Sequence, residues 1–155
     1  MNESERQILE VAVNRKARRD YEILDRFECG IVLQGTEVKT LRAGRVSLEE
    51  AYVRPREKAL WLVGAHLDEY TQANVFNHEP TRERKLLMRK RELVRLSQRV
   101  KEKGLTLVPL RVYFLGKWAK LEIGIGRGRK FHDKREAVRK RETDRVLRGL
   151  SGRHG

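Results

Sequence analysis

The chain has only one cysteine, no grouping of histidines and no long apolar run, and each absence excludes a class of protein. Cys29 cannot form an internal disulfide, and its place in an apolar stretch predicts a buried core thiol rather than a nucleophile. The four histidines are too scattered to bind a metal. Without an apolar span or a recognisable signal peptide, we expect a cytoplasmic protein with no membrane, metal or cofactor.

Positive charge is what the chain has in excess, with a formal net charge of +14. Residues 82–103 and 127–155 each carry seven more Lys and Arg than Asp and Glu, and the remainder is about neutral. Such segments favour a polyanionic partner, and nucleic acid is the first candidate because cation–phosphate contacts dominate its binding. A membrane surface is disfavoured, since neither segment has the apolar face of an interfacial helix.

The alternation of apolar and polar residues predicts a mainly β domain with two or three helices. A helix is expected over residues 37–42 and a longer one over residues 85–103. In a chain of this size, strands that bracket a helix favour a small closed β-barrel of the oligonucleotide-binding type. An open α+β sandwich is the alternative, and the pattern alone does not separate the two.

Three segments are expected along the chain. Residues 1–13 form a flexible N-terminal segment, residues 14–130 an RNA-binding barrel domain, and residues 131–155 a basic C-terminal tail. Glycines at alternate positions, Gly124 to Gly128, are expected to loosen the chain where the domain ends. Repulsion between the tail's cations predicts that it is disordered when free and becomes helical once phosphates surround it.

Several exposed cations and aromatics are candidates for RNA contact. Four cations within five residues, beside an aromatic side chain and before a strand, favour a phosphate-binding edge over a merely solvated run; these are Arg15, Lys16, Arg18, Arg19 and Tyr21. Tyr52 is a candidate for base stacking, and a place in the barrel wall is an equal alternative. The further candidates are Lys39, Arg42, Arg45, Arg82, Arg84 and Lys85, for which a solvated surface is the alternative.

An enzymatic interpretation of the chain centres on His132 and Asp133. General acid–base catalysis, as in a nuclease, needs such groups held in a fixed geometry, and a flexible junction holds them poorly. We therefore expect no catalytic residues and no enzyme activity.

Several multi-residue motifs occur in the order typical of one bacterial family. They are Asn14-Arg15-Lys16-Ala17-Arg18-Arg19-Asp20-Tyr21, Gly35-Thr36-Glu37-Val38-Lys39, Leu41-Arg42-Ala43-Gly44-Arg45, Arg84-Lys85-Leu86-Leu87, Lys103-Gly104-Leu105-Thr106-Leu107-Val108-Pro109-Leu110 and His132-Asp133-Lys134-Arg135. On these motifs, residues 14–142 closely resemble the SsrA-binding proteins, also called small protein B.

The resemblance implies a β-barrel that binds the tRNA-like domain of transfer-messenger RNA. It implies that the complex enters the A site of a stalled ribosome, with the tail in the vacant mRNA channel beside the small-subunit decoding centre. The expected function is ribosome rescue by trans-translation, and we expect a monomer. A general single-stranded or ribosomal RNA-binding barrel protein is the alternative.

The resemblance also implies site residues. Glu28, Leu87 and Lys120 match family positions that bind RNA; without it, Glu28 would be an ordinary exposed strand glutamate and Leu87 a candidate for core packing. His132 matches a residue that stacks in the decoding centre. The other expected ribosome contacts of the tail are Arg129, Lys130, Asp133, Lys134, Arg135, Arg139, Lys140, Arg141, Val146 and Leu147, with Leu150 as a second candidate for the apolar pair.

Overall fold

A computed structural model describes residues 7–71, 77–101 and 104–129 of the chain. The elements in order are β1 (Ile8–Val13), α1 (Arg15–Asp20), β2 (Tyr21–Ile31), α2 (Gly35–Arg42), β3 (Val46–Ser47), β4 (Tyr52–Arg56), β5 (Ala59–Val63), β6 (His66–Leu67), β7 (Arg84–Leu87), α3 (Lys90–Arg99), β8 (Leu105–Leu115) and β9 (Trp118–Gly128). The prediction of a mainly β protein with helices is confirmed. No helix in these ranges is long and apolar enough to cross a membrane.

Seven of the strands form one antiparallel sheet in the order β1-β8-β9-β2-β7-β5-β4, and β3 pairs separately with β6. The sheet curls until β4 lies against β8. Within the described ranges, however, its edge strands β1 and β4 do not pair with each other, so the predicted closed barrel is not confirmed. The composition of β4 suits an edge, because Pro55 has no backbone N–H to donate to a further strand.

The main core lies on one face of this curled sheet. Alternate residues of the long strands point into it, and α2 and α3 contribute Leu41 and Leu96. Cys29 belongs to this core and is only 2% exposed, which confirms the predicted buried thiol. Burial raises the pKa of Cys29 to about 12, so the thiol stays neutral and unreactive near neutral pH.

A second, smaller cluster lies on the other face of the sheet, under α1. Val108 and Leu110 pack there against Ala17, with Tyr21 and Ile23 beside them. The register between β8 and β9 is irregular between Pro109 and Arg111, at the point where the strand passes from this cluster to the main core. Such an irregularity re-aims the side chains on its two sides.

The glycines do not loosen the end of the domain, so that expectation is wrong. Gly124, Gly126 and Gly128 lie in β9 and pair with β2 and β8. A Cβ atom at Gly124 would lie 2.9 Å from the Cδ1 atom of Leu110, and one at Gly126 would lie 3.1 Å from the Cβ atom of Tyr21. These two glycines leave room for the second cluster.

Gly124→Ala is expected to destabilise the fold by about 1–3 kcal/mol, because the added methyl group overpacks a buried site. Gly128→Ala is the matched control, since no described residue other than its chain neighbours has an atom within 4 Å of the added Cβ. Denaturant unfolding of both variants measures the difference. Equal stabilities would mean that Gly124 is not a packing position.

The folded sheet begins before residue 14, which corrects the expectation of a flexible segment over residues 1–13. Ile8–Val13 forms β1 and pairs along β8, with Ala12 opposite Val112. Val11 packs against the main core, and this contact stabilises the strand. Residues 1–6 lie outside the described ranges, as does the predicted tail at residues 131–155.

The helix predicted over residues 85–103 is shorter in the structure, and a strand replaces its first turn. Arg84–Leu87 forms β7, between β2 and β5, and the helix α3 begins only at Lys90. In β7 the side chains alternate, with Arg84 and Leu86 buried and Lys85 and Leu87 exposed. This alternation has the period of a strand, not of a helix.

Candidate nucleic-acid interface

Glu28, Lys120 and Leu87 lie together on the outer face of the sheet, opposite the main core. Each belongs to a different strand of the adjacent set β9, β2 and β7. Gly30 of β2 pairs with Lys120 on one side and with Leu87 on the other, and Glu28 lies two residues from Gly30 on the same strand and so faces the same way. The Nζ atom of Lys120 is 4.0 Å from the Oε1 atom of Glu28. The fold therefore brings together the three positions that the family resemblance selected.

Leu87 is exposed to 54%, so the core-packing alternative for this residue is wrong. It lines an open groove of about 250 Å³, together with Lys58, Lys85 and Met88. An exposed apolar side chain flanked by lysines can pack on a base or ribose while the cations contact phosphate.

Tyr113 is a member of this site that the sequence did not reveal. Its hydroxyl donates a hydrogen bond to the Oε2 atom of Glu28. The guanidinium of Arg111 lies over the Tyr113 ring, 4.5 Å from its centre, and its Nε atom donates to Glu122 over 3.1 Å. The available signal was alternation, because Tyr113 lies between the core residues Val112 and Phe114 and must point to the outer face.

The four cations of α1 are all exposed, at Arg15, Lys16, Arg18 and Arg19. The helix is anchored by Asn14, which accepts a hydrogen bond from the Ala17 amide and donates one to the Pro109 carbonyl over 2.9 Å. With the rest of the described chain these cations form only weak surface pairs, such as Lys16 with Glu50 at 3.7 Å. The cluster therefore remains available to phosphate, whereas Tyr21 packs partly in the second cluster.

The cations in α2 and just after it lie on the other side of the sheet. Lys39, Arg42 and Arg45 are exposed, but the guanidinium of Arg42 stacks 4.1 Å from the ring centre of the core residue Phe114. They are thus separated from Glu28 by the sheet. Tyr52 is 48% exposed in β4 and is not buried in a wall, so it remains a candidate for stacking.

The prediction that Arg84 contacts RNA is wrong, because its side chain is fully buried. Its Nε atom donates to the buried carboxylate of Glu37, and its Nη1 atom donates to the carbonyls of Ala65 and Arg82 over 3.1 and 2.9 Å. Arg82 also donates to Glu37. These contacts hold α2 against the segment that leads into β7. Lys85, the next residue, is exposed and remains a candidate.

Burial opposes the charge on Glu37, but hydrogen bonds from Arg82 and Gln34 and the charge of Arg84 outweigh it, so the pKa of Glu37 is lowered. A carboxylate whose folded pKa is lowered stabilises the fold above its unfolded pKa, and that contribution is lost as the pH falls through the folded value.

Acid is therefore expected to reduce the stability of the native chain partly through Glu37. Between about pH 7 and about pH 3, a Glu37→Gln variant should lose less stability than the native chain, because it lacks this titration. Denaturant midpoints across this range measure the loss, with the exposed turn variant Glu57→Gln as the control. A Glu37→Gln variant with the full acid sensitivity of the native chain would contradict the assignment.

Of the predicted tail contacts, only Arg129 lies in the described ranges. It is exposed, and its Nε atom donates to the Tyr21 carbonyl over 3.0 Å. The remaining predicted contacts lie outside these ranges, at Lys130, His132, Asp133, Lys134, Arg135, Arg139, Lys140, Arg141, Val146 and Leu147.

No cluster suited to a metal ion occurs among the described side chains. His78 is buried and its ring bonds to the Thr36 hydroxyl and the Leu67 carbonyl, over 2.9 and 3.0 Å. These hydrogen bonds indicate that His78 has a structural role beside α2.

Comparison with known proteins bears directly on this outer face. The family model described as SmpB protein matches residues 11–151, which is most of the chain. The chain belongs to the SmpB protein family. The match begins within β1 and extends over every later strand and helix of the sheet domain.

Proteins named SsrA-binding protein are similar to this chain over most of its length. An SsrA-binding protein of Carboxydothermus hydrogenoformans is 53% identical over 137 residues, covering 88% of this chain and 92% of the relative. One from Salinispora tropica is 52% identical, covering 94% and 91%. A chain from a solved structure described as "tmRNA-SmpB: a journey to the center of the bacterial ribosome" is 47% identical with a TM-score of 0.64, covering 76% of this chain and 82% of that one.

Proposed function

We propose that the chain binds the tRNA-like domain of transfer-messenger RNA and delivers it to the A site of stalled ribosomes. The observation that carries this proposal is that Glu28, Lys120 and Leu87 lie close together on one outer face of a protein of the SmpB family. The relatives named SsrA-binding protein and the ribosome-bound structural neighbour support it. The chain acts without catalysis, as a cytoplasmic monomer.

The outer face supplies three kinds of contact that suit folded RNA. Lys120 pairs with phosphate, Leu87 packs on an unstacked base or ribose, and Glu28 accepts a hydrogen bond from an RNA donor group. A bare sheet edge or a uniform cationic surface would offer only the first of these. The combination favours a specific RNA shape over any polyanion.

The cations of α1 add phosphate contacts beside this face. Because exposed Lys and Arg contacts release counterions, binding weakens steeply as salt rises. The curled sheet thus serves as a platform for RNA, as the strands of an oligonucleotide-binding barrel do. The tail at residues 131–155 extends the interface to the decoding centre and the vacant mRNA channel, with His132 as a stacking residue.

The test is a filter-binding competition with the full chain and the labelled tRNA-like domain. Binding is expected to survive a large excess of unstructured RNA of equal length. The alternative, a general single-stranded or ribosomal RNA-binding protein, gains support if the unstructured RNA displaces the labelled RNA in proportion to its concentration. That result would overturn the proposed function.

Incubation of the same RNA with the protein, in magnesium and in chelator, tests the absence of catalysis. The RNA is expected to remain intact in both. Cleavage products that depend on His132 would support a nuclease instead.

A further inference from the structure

We propose that Tyr113 is a positioning residue that fixes the carboxylate of Glu28 for hydrogen bonding to a donor group of the bound RNA. The inference rests on the proposed function and assigns a role to a residue of β8 that points to the outer face but is covered by its neighbours. It concerns how Glu28 acts, since a carboxylate is an unexpected group on a surface that binds phosphates.

Tyr113 is held too tightly to be a surface contact itself. It is only 2% exposed although it points to the outer face, because Arg111 covers its ring. Its hydroxyl donates to the Oε2 atom of Glu28. The rigid Tyr113 side chain therefore holds one oxygen of the flexible Glu28 side chain in place. As a result, Glu28 loses less rotamer freedom when RNA binds.

The position of Glu28 would otherwise be unfavourable. Glu28 lies directly opposite Glu122 on β9, and like charges in such a pair repel. The nearby arginines are engaged by Glu122, since Arg26 donates to it over 3.0 Å and Arg111 over 3.1 Å. In the part of the chain that the structure describes, the partners of Glu28 are Tyr113 and Lys120, the latter at 4.0 Å.

Oε1 is the freer of the two Glu28 oxygens. Among the described residues, Tyr113 donates to Oε2, while Oε1 faces Lys120 at 4.0 Å without a close hydrogen bond, and the side chain is 46% exposed. A lysine beside this oxygen can contact phosphate while Oε1 accepts from a neighbouring donor. The donor groups that RNA offers are the ribose 2′-hydroxyl and the N–H groups of unpaired bases.

Burial and the neighbouring carboxylate raise the pKa of Tyr113, so the phenol remains protonated near neutral pH. It therefore stays a donor at any pH at which RNA binding is measured. An acceptor at this position would repel the Glu28 carboxylate.

Tyr113→Phe in the full chain removes only the hydroxyl and tests the role. Affinity for the tRNA-like domain is expected to fall about tenfold, because a Glu28 carboxylate that is no longer held in place loses its hydrogen bond to the RNA, and a hydrogen bond to a charged group contributes about this much. In a Glu28→Gln background, the same change is expected to have little further effect, because the anchored charge is already absent. Glu28→Asp leaves Tyr113 intact but withdraws the carboxylate from it, and should weaken binding by a similar factor.

A purely structural role for Tyr113 predicts a different pattern. Tyr113→Phe would then lower the melting temperature and weaken binding equally in both backgrounds, which would overturn the inference. Unchanged affinity of Tyr113→Phe and Glu28→Asp would also overturn it while leaving the proposed function intact. Failure of the native chain to bind this RNA would instead refute the proposed function.

RNA with 2′-deoxy substitutions in its unpaired loops identifies the donor. Weaker binding of the native chain, with no such change for Glu28→Gln, supports a ribose 2′-hydroxyl. Unchanged binding of the native chain, with the tenfold effect of Tyr113→Phe preserved, supports a base N–H group.

Discussion

Replacing Arg84 with methionine is expected to lower the free energy of unfolding by about 3–5 kcal/mol, as for other buried ion pairs that lose one partner. Of the cations within the described ranges that pair with Glu37, Arg82 alone would remain, and the Ala65 carbonyl would lose the hydrogen bond from Arg84. The cluster joins α2 to the segment before β7, so its loss should loosen both. Chemical denaturation at neutral pH measures the change.

Two further variants separate the ion pair from general packing. Lys85→Met, one residue along the same strand, alters an exposed cation and should change stability by less than about 0.5 kcal/mol. The double variant Arg84→Met with Glu37→Met should recover much of the loss, because no buried charge then remains unpaired. If Arg84→Met and Lys85→Met proved equally stable, the buried cluster would not be a major support of the fold.

Lys120→Met is expected to weaken binding of the tRNA-like domain about tenfold and to lower the slope of log affinity against log salt by roughly 0.7–0.9. Both effects follow from the loss of one phosphate contact on the outer face. Lys117→Met is the matched control, since Lys117 is an exposed cation in the turn at the end of the same hairpin. It should change affinity by less than about twofold.

Melting temperatures of the two lysine variants should match that of the native chain, because neither side chain is buried in the core. Binding losses then report on the interface alone. Equal losses for Lys117→Met and Lys120→Met would indicate a diffuse electrostatic attraction rather than a site around Glu28.

The strand content of the fold was predictable because alternation is local, whereas closure of the sheet was not. Whether β1 and β4 meet depends on the curl of the whole sheet, which no single segment encodes. The glycines of β9 illustrate a related limit. A sequence shows that Gly124 has no side chain, but only the packed neighbours Leu110 and Ile23 show that none could fit.

The family resemblance predicted the site residues Glu28, Leu87 and Lys120, but only the fold shows that they lie on one face of the sheet. Positive charge alone wrongly predicts an RNA contact at Arg84. The period of the strand places Arg84 on the same buried face as Leu86, two residues along. Tyr113 was missed for the opposite reason, since an aromatic residue within an apolar strand is expected in the core. The partner of its hydroxyl lies on another strand, 85 positions away in the chain.

RNA binding at the outer face is tested most directly by mass-spectrometric measurement of lysine acylation in the full chain, with and without saturating tRNA-like RNA. Binding there predicts that the RNA protects Lys120 strongly and leaves Lys117, three residues away, nearly as reactive as in the free protein. Unchanged reactivity of Lys120 at saturation, with protection at lysines far from the outer face, would contradict it.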